Sequence, residues 1–400
     1  MPSPYQRDVF RALRRLDQVE LKVFYLEANA PDSPWDDVGL EAWESVLPGW
    51  CLGRGRVRSH LNWRIPDLTN ADYVVVNTAL TDVTTQMLLR QQQRLAPNAW
   101  WLFWGELIRT GGGTAGWLRS LLAAPLAKLD GIVAIGKRAE TAYRNRFRNQ
   151  RVFNLPYHCE LHPFIDAASA SRNVPAKRQP QERPSRLSLH ERGGHSHLDS
   201  QRLTRADEPK ADLAVADETP SACHFLFCGQ MIHRKGIDVL LTAFDRLVRD
   251  NPSVVLGMVG READVTDHIS TLPEAVSSRI QLHGFRQIDE LPEYFARADV
   301  FVLPSRHDGW GVVINQAMAA GLPIISTDQV GAADDLIEDG KNGFIVSAGQ
   351  MEPLFQAMKK LCDNSTLRAD MSAANSRLAP SLTPDSAARK WLSITQQLAE

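Results

Sequence analysis

The chain has few cysteines for its 400 residues, and none of them is spaced for pairing. The five cysteines are odd in number, scattered and without a CxxC motif: Cys51, Cys159, Cys223, Cys228 and Cys362. Disulfide-stapled secreted scaffolds and structural zinc sites need closely spaced cysteines, so the sequence predicts neither. Cysteine usage of this kind is typical of a reduced, cytoplasmic protein.

Long apolar runs and an excess of charge are also missing from the sequence. It has no run of about 18 apolar residues and no charged-then-apolar start, so it predicts neither a membrane-spanning helix nor a secretory signal. A net charge of −2 gives no reason to expect nucleic acid as a partner. Hydrophobic content of 44% and charged content of 23% are those of a globular protein, and 400 residues favour two domains.

The stretch from Val300 to Ser326 has the pattern of one strand–helix–strand unit. The β-branched run Val300 to Leu303 predicts a buried strand, and Leu322 to Ser326 predicts another. Between them lie a polar and glycine-rich loop, Arg306 to Gly311, and a predicted helix, Val312 to Ala320. Ligands of such units bind beyond the carboxyl end of the first strand, where free helix N–H groups attract phosphate.

This stretch resembles the retaining glycosyltransferases of family 4, which carry E-G-F-G-x-x-x-x-E-A-M-A-x-G-x-P. Here the letters are D-G-W-G-V-V-I-N-Q-A-M-A-A-G-L-P, with Asp308 and Gln316 at the two acidic positions. In the family the first carboxylate holds hydroxyls of the donor sugar, the second grips the ribose, and the Gly-aromatic-Gly amides cradle the diphosphate. The resemblance therefore implies a catalytic role for Asp308 and donor binding by Gly309, Trp310, Gly311, Val312 and Gln316.

A second motif, Gly229 to Gly236, follows the predicted strand His224 to Cys228. It resembles the family's G-R-x-x-x-x-K-G element, whose basic residues reach the donor diphosphate, and the resemblance implies donor binding by Gly229, Arg234 and Lys235. Lys235 matches that element, whereas Gln230 replaces the usual arginine, and we expect Arg234 to take over its role. A guanidinium pairs two phosphate oxygens at once and an ammonium acts as a point charge, which suits a diphosphate. A surface Arg-Lys turn is the alternative.

In the N-terminal half, the predicted strand Ala99 to Trp104 ends in Gly105-Glu106. The loop that follows, Leu107 to Thr114, holds three glycines, which predicts a mobile loop over a cleft; no Gly-Lys-Ser/Thr makes it a P-loop. Many members of the family have a histidine near this point, and the subgroup that this chain resembles has Gly-Glu instead. We therefore expect Glu106 to be a catalytic carboxylate facing the donor. A helix-capping or salt-bridged glutamate is the alternative.

Six cations crowd the segment that ends this half of the chain, with two aromatic residues among them. Such a cluster suits an anionic membrane surface or a lipid-diphosphate acceptor, at about 1 kcal/mol per cation. A solvated helix face is the alternative. The cations are Lys137, Arg138, Arg144, Arg146, Arg148 and Arg151.

Four parts of the chain are predicted. Residues 1–165 form an acceptor-side Rossmann-like domain, 166–222 a disordered insertion, and 223–380 the domain that binds the nucleotide sugar. Residues 381–400 form a helix that packs back on the N-terminal domain. The insertion is rich in Ser, Arg, Pro and Gln and has no apolar periodicity. In the family, a first strand precedes the predicted helix Val9 to Leu16; we expect it to be missing here, through a late start codon or a real truncation.

The resemblance implies an α/β protein with the GT-B fold, in which two doubly wound parallel-sheet domains face a cleft. The implied reaction moves a sugar from a nucleotide-diphosphate donor to a glycan or lipid-linked acceptor with retention of configuration, without an essential metal or cofactor. The D-G-W-G-V-V sequence resembles a subgroup of bacterial surface-polysaccharide and lipopolysaccharide enzymes. A cytoplasmic protein at the inner face of the plasma membrane is expected. The alternative from another class is a weak or inactive GT-B-like scaffold; an epimerase or phosphorylase is disfavoured by the C-terminal motifs.

Overall fold

The computed structural model describes residues 3–28, 39–54, 57–107, 113–173, 222–262 and 265–400. Strands and helices alternate on both sides of residues 174–221, which lie outside the described residues, as do residues 108–112 of the predicted mobile loop. The first group consists of α1 (Pro4–Arg14), β1 (Val23–Tyr25), β2 (Glu44–Val46), β3 (Gly49–Arg54), β4 (Val57–Asn62), β5 (Tyr73–Val76), α2 (Val83–Leu95), β6 (Trp100–Gly105), α3 (Gly113–Ala123), β7 (Gly131–Ala134), α4 (Lys137–Arg146), β8 (Arg151–Asn154) and α5 (His162–Asn173).

The second group alternates in the same way and ends in three longer helices. It consists of β9 (His224–Cys228), α6 (Ile237–Asp250), β10 (Val255–Val259), α7 (Val265–Ser270), α8 (Glu274–Ser277), β11 (Ile280–Leu282), α9 (Leu291–Ala296), β12 (Val300–Leu303), α10 (Val313–Ala319), β13 (Ile324–Thr327), α11 (Gly331–Leu336), β14 (Gly343–Val346), α12 (Met351–Asp363), α13 (Ser365–Leu378) and α14 (Pro384–Ala399). Short 3₁₀ turns lie at Ala124–Lys128, His233–Lys235 and Ala379–Leu382.

The N-terminal domain is built on a parallel sheet with the order β5-β6-β7-β8. Two smaller pieces stand beside it, the parallel pair β1-β2 and the antiparallel hairpin β3-β4. The hairpin exposes Trp50, Leu52 and Trp63, which are 63%, 54% and 59% accessible. Because these apolar residues face solvent, the hairpin lacks the alternation of buried apolar and exposed polar residues that predicts a strand. The sequence therefore did not predict it.

The C-terminal domain is a six-stranded parallel sheet with the order β11-β10-β9-β12-β13-β14. Every residue of β12 and β13 is buried, as a sheet covered by helices on both faces requires. After β9 the chain adds β10 and then β11 on one side of it. It then returns to the other side of β9 and adds β12, β13 and β14 in that order. The order therefore reverses between β9 and β12, and open α/β sheets bind ligands at such a reversal, beyond the carboxyl ends of the strands.

The last helix, α14, lies against the N-terminal domain. The ring of Trp391 meets that of Trp104 edge-on, with 5.4 Å between centroids. The guanidinium of Arg151 donates to the carbonyls of Gln397 and Leu398, at 2.8 and 2.9 Å. The end of the chain thus joins the two domains.

Helix α5 corrects the predicted start of the insertion. Residues 166–173, assigned to a disordered insertion, continue the helix that begins at His162. The ring of Phe164 packs edge-on against Phe295, with 5.2 Å between centroids, and Arg172 donates to the carbonyl of Ala320. The small and polar residues of this helix carry little apolar periodicity, so its contacts with the other domain, and not a local pattern, hold it in place.

Part of the predicted membrane-facing cation cluster lies instead between the domains. Arg138 forms a salt bridge with Asp334, and its Nη2 lies 2.9 Å from Asp334 Oδ1. Lys137 Nζ donates to the carbonyl of Asp334 at 3.2 Å, and the Lys137 backbone N–H donates to Asp335 at 2.9 Å. Arg151 binds α14, as described above. Three members of the cluster therefore hold the domains together.

Candidate functional site

The loops after β9 and β12 meet at the point where the sheet order reverses. They touch at Gly236, where a Cβ would lie 2.0 Å from the carbonyl oxygen of Pro304. Gly236 also has a φ of +73°, so both the contact and the backbone conformation require glycine here. The backbone N–H of Arg306 donates to the carbonyl of Arg234 at 2.8 Å, and Arg234 Nη1 donates to that of His307 at 2.8 Å. The basic turn of the second motif is therefore fixed against the loop that carries Asp308.

Lys235 and Asp308 form a salt bridge at the centre of this arrangement. The two side chains are only 12% and 15% exposed. The backbone of Asp308 is anchored as well, because its N–H donates to the carbonyl of Gln329 at 3.0 Å and its carbonyl accepts from Gly331 at 3.2 Å. The structure thus pairs the predicted catalytic carboxylate with the predicted diphosphate-binding ammonium.

Glu106 reaches this site from the other domain. A Cβ built on Gly309 would lie 2.2 Å from Glu106 Oε2, so the carboxylate occupies the space that a side chain would take. The hydroxyl of Tyr143 donates to the carbonyl of Glu106 at 2.7 Å and holds its backbone. Burial, and secondarily the charge of Asp308, raises the pKa of the Glu106 carboxyl. The site therefore brings a carboxylate from each domain close enough for the charge of Asp308 to raise the pKa of Glu106.

A cavity of about 460 Å³ lies beside Glu106 and is lined by residues of the N-terminal domain. Its walls are mostly apolar, with one cation, and it is formed by the ends of β5 and β6 and by α3. The lining residues include Asn77 to Thr81, Phe103 to Glu106, Arg119, Leu122 and Tyr157. Sequence reasoning identified Glu106 alone among them, because the loop after β5 and the inner face of α3 carry no motif.

The side chain of Trp310 faces the domain interface. It is 3% exposed, and its indole N–H donates to Asn315 Oδ1 at 2.9 Å. Asn315 Nδ2 in turn donates to the carbonyl of Tyr157 at 2.8 Å, and the rings of Tyr157 and Trp310 lie 6.2 Å apart. Trp310 therefore links the glycine loop to the N-terminal domain. Because its side chain is buried there, only its backbone could contact the nucleotide sugar. The donor-binding roles of all the predicted residues, Gly229, Gly311 and Val312 among them, stay predictions.

Gln316 is 1% exposed and lies in α10, beside Tyr5 of α1. The two side chains hydrogen-bond; this bond opposes the effect of burial, which raises the pKa of the Tyr5 phenol. Gln316 Oε1 is buried without a hydrogen-bond partner. An unsatisfied buried acceptor costs free energy unless a donor reaches it, and a ligand hydroxyl is one such donor. The contact with Tyr5 joins positions 311 residues apart in sequence (316 − 5), which no motif predicts.

The raised pKa of Glu106 predicts a gain in stability for Glu106→Gln at neutral pH. The folded state binds the Glu106 proton more tightly than the unfolded chain, whose ordinary pKa is 4.5. This stabilising contribution is complete below that value and is lost as pH rises through the folded pKa. We expect the melting temperature of Glu106→Gln to exceed that of the wild type at pH 7, and by less at about pH 4. Thermal melts followed by circular dichroism check this; an equal difference at both pH values would contradict it.

Residues 222–364 match the family model described as "Glycosyl transferases group 1". A lipopolysaccharide core biosynthesis glycosyltransferase, LpsE of Rhizobium meliloti, is 30% identical over 163 residues, which are 40% of this chain and 46% of that protein. Alpha-D-kanosaminyltransferase of Streptomyces kanamyceticus is 27% identical over 150 residues, 37% of this chain and 38% of that protein. The match covers about half or less of the length of these relatives.

Solved structures resemble the chain over both domains. Sucrose-phosphate synthase from Thermosynechococcus elongatus superposes with a TM-score of 0.57 at 18% identity, over 82% of this chain and 73% of that one. HepE from Anabaena, solved with UDP, gives a TM-score of 0.57 at 14% identity, over 82% and 80%. At these identities the likeness establishes the fold alone. The predicted GT-B fold, with two parallel-sheet domains, is confirmed.

No helix within the described ranges is both long and apolar enough to cross a membrane.

Proposed function

We propose that the protein is a retaining glycosyltransferase of family 4 that moves a sugar from a nucleotide-diphosphate donor to a hydroxyl of a glycan or lipid-linked acceptor. The observation that carries the proposal is the Lys235–Asp308 pair, at the reversal of the C-terminal sheet, with Glu106 of the other domain against Gly309. A cation can offset the charge of the departing diphosphate, and carboxylates can accept hydrogen bonds from the sugar and the acceptor hydroxyl, so these groups suit the transfer. The family match over 222–364 and the relative named for lipopolysaccharide core synthesis support it.

Lys235 would change partners when the donor binds. Its ammonium pairs with Asp308 in the described structure, and a donor diphosphate offers two anionic phosphate groups at the same place. The exchange would free the Asp308 carboxylate to accept hydrogen bonds from the sugar hydroxyls. Arg234 and Lys235 would then offset the charge that develops on the departing diphosphate without an essential metal ion, which is electrostatic stabilisation of the transition state.

The cavity beside Glu106 is the proposed acceptor site. It lies on the N-terminal side of the cleft, and the Glu106 carboxylate stands between it and the glycine loop. A carboxylate at that place can orient an acceptor hydroxyl toward the donor. Tyr157 and Trp104 offer apolar walls of the kind that sugars and lipid-linked groups contact.

We place the proposed membrane contact on α3. Trp117, Leu118 and Leu121 are 68%, 49% and 48% exposed on this helix. The same helix contributes Arg119 and Leu122 to the wall of the cavity. Exposed apolar residues next to an acceptor cavity suit a peripheral contact with an anionic membrane that carries the acceptor. Because Lys137, Arg138 and Arg151 bind within the protein, α3 is the better-supported surface.

Gln316→Glu tests the proposed contact with the ribose. A carboxylate accepts from both ribose hydroxyls with charge-assisted bonds, whereas the carboxamide offers one acceptor, the unpartnered Oε1. We expect the variant to lower the KM for the donor about fivefold to tenfold and to leave kcat nearly unchanged. Steady-state kinetics at varied donor concentration measure this. An unchanged or raised KM in a folded variant would show that Gln316 does not face the ribose.

The whole proposal is tested by isothermal titration with nucleotide-diphosphate sugars of different bases, followed by a donor-hydrolysis assay. Binding of one donor class together with release of its nucleoside diphosphate is expected. If no nucleotide sugar binds, the GT-B-like scaffold is the correct description, and the contact that covers Gln316 with Tyr5 would explain the loss of the donor site.

A further inference from the structure

A second cluster of chemically reactive side chains lies where the β3-β4 hairpin meets the end of β1. Glu27 follows β1, Cys51 lies on β3 and His60 on β4, directly opposite Cys51 in the hairpin register. One ligand atom from each of the three residues lies within 4.8 Å of the others. These residues are separate from the proposed transfer site, and the inference does not depend on the proposed function.

The histidine of this cluster is oriented by a buried carboxylate. His60 is 9% exposed, and its Nδ1 lies 2.8 Å from Asp82 Oδ1, which also accepts from the His60 backbone N–H at 2.9 Å. If Nδ1 donates its proton to Asp82, then Nε2 presents a lone pair. Metal-binding histidines are commonly held in this way, with the second nitrogen donating to a carboxylate.

The opposite nitrogen of that ring, Nε2, faces another acceptor. His60 Nε2 lies 3.1 Å from Glu27 Oε2 but is not aligned for a hydrogen bond, and it is buried without a hydrogen-bond partner. A nitrogen lone pair and a carboxylate oxygen repel each other at this separation unless a cation lies between them. The cation can be a proton on Nε2 or a metal ion, and Cys51 Sγ offers a third ligand only to the metal ion.

We propose that Glu27, Cys51 and His60 bind a divalent cation of the zinc class, with Asp82 as the positioning residue of His60. A thiolate, an imidazole and a carboxylate form the ligand set that Zn²⁺ prefers, at about 2.3, 2.0 and 2.1 Å. A tetrahedral ion at these distances separates nitrogen from oxygen by about 3.3 Å, close to the observed 3.1 Å. Cys51 is exposed, so its side chain can rotate toward the ion and the fourth position can be taken by water.

Arg58 is the group that opposes this proposal. Its Nη1 lies 3.3 Å from Glu27 Oε2, the same oxygen that approaches His60. The guanidinium offsets part of the carboxylate charge and lowers the attraction for a cation. The Cys51 thiolate, within 4.8 Å of the other two ligand atoms, and the Asp82 carboxylate at Nδ1 add negative charge beside the ring and offset the guanidinium in turn.

A bound ion would fasten the hairpin to the loop that lines the acceptor cavity. Asp82 directly follows Thr81, the last cavity residue of that loop. The hairpin already contacts this region, since Ser59 Oγ donates to the carbonyl of Thr81 at 3.0 Å and Thr84 Oγ1 to that of His60 at 3.0 Å. The spacing of Cys51 and His60 across a hairpin explains why the sequence alone shows no zinc motif.

The test uses the full chain, stripped with a chelator and titrated with Zn²⁺ against a chromophoric competitor and, separately, with Co²⁺. We expect one ion per chain at this site and a thiolate-to-Co²⁺ charge-transfer band in the near ultraviolet. Cys51→Ser should abolish the band, while Cys362→Ser, which removes a thiol elsewhere in the chain, should keep it. Asp82→Asn should weaken binding about 10- to 100-fold, the effect of losing an outer hydrogen-bond partner, and Cys51→Ser should weaken it more.

Two results would overturn the proposal. One is that the folded wild-type chain binds no stoichiometric Zn²⁺, which leaves a protonated His60 as the cation between the carboxylates. The other is a Co²⁺ complex that Cys51→Ser does not change, which places the ion on other residues. Circular dichroism of each variant shows whether the fold is intact, and Glu27→Gln provides a second ligand variant if Cys51→Ser does not fold.

Discussion

Replacing Asp308 with asparagine is expected to lower kcat for sugar transfer on the order of 100-fold or more. The proposed role of this carboxylate is to accept hydrogen bonds from the donor sugar as positive charge develops at the reacting carbon. An amide of the same size keeps one acceptor but loses the charge, and removing one such electrostatic contact costs about 10²–10³ in kcat. Since Asp308 is anchored through its backbone, the loop geometry should survive the substitution.

Stability must be measured beside activity in this experiment. Lys235 is 12% exposed and would lose its charged partner, which costs about 1–3 kcal/mol. A thermal melt of Asp308→Asn should therefore show a lower but cooperative transition. Asp370→Asn, at an exposed carboxylate on α13, is the matched control and should change neither quantity. Full turnover by a folded Asp308→Asn protein would remove Asp308 from the site.

Local pattern predicted the part of the site that the C-terminal sheet builds. The β-branched run of β12, the glycine loop and the short helix α10 are consecutive, and their hydrophobic period and turn residues are strong signals. The second motif could be placed for the same reason, because it follows the buried strand β9 directly. Both loops then meet because parallel strands end at the same edge of the sheet.

Contacts between distant parts of the chain could not be predicted in this way. The bonds of Lys137 and Arg138 to Asp334 and Asp335 join residues almost 200 positions apart, so these cations resembled a surface cluster. The covering of Gln316 by Tyr5 depends on where α1 docks. Such contacts follow from tertiary packing, whose partners leave no periodic trace in the local sequence.

The hairpin shows a different limit. Trp50 and Leu52 point to solvent on β3, whereas Cys51 between them belongs to the Glu27–His60 cluster. Residues on both faces of this strand are exposed, so its apolar residues do not mark a core face. A ligand set formed across two strands also has no fixed spacing in sequence.

Replacing Lys235 with methionine is expected to lower kcat/KM for transfer by about 10²–10³. The reason differs from that for Asp308, because the ammonium is proposed to bind the diphosphate both before and after the bond to the sugar breaks. A hydrogen bond to a charged group is worth about 1.5–3 kcal/mol, so affinity for the nucleoside diphosphate alone should fall about 10- to 150-fold. Methionine retains the apolar stem that packs near Gly229 but offers no charge.

Binding of the nucleoside diphosphate separates this role from a purely structural one. In Asp308→Asn, Lys235 loses its intramolecular partner and is released for the ligand, so the affinity should equal or exceed that of the wild type. In Lys235→Met the affinity should fall, and Lys235→Arg should recover part of it, since a guanidinium also pairs with phosphate oxygens. Isothermal titration of the three variants with the nucleoside diphosphate measures the order. If Lys235→Met binds the nucleoside diphosphate as tightly as the wild type, the ammonium serves only to neutralise Asp308, and the diphosphate is held by other groups.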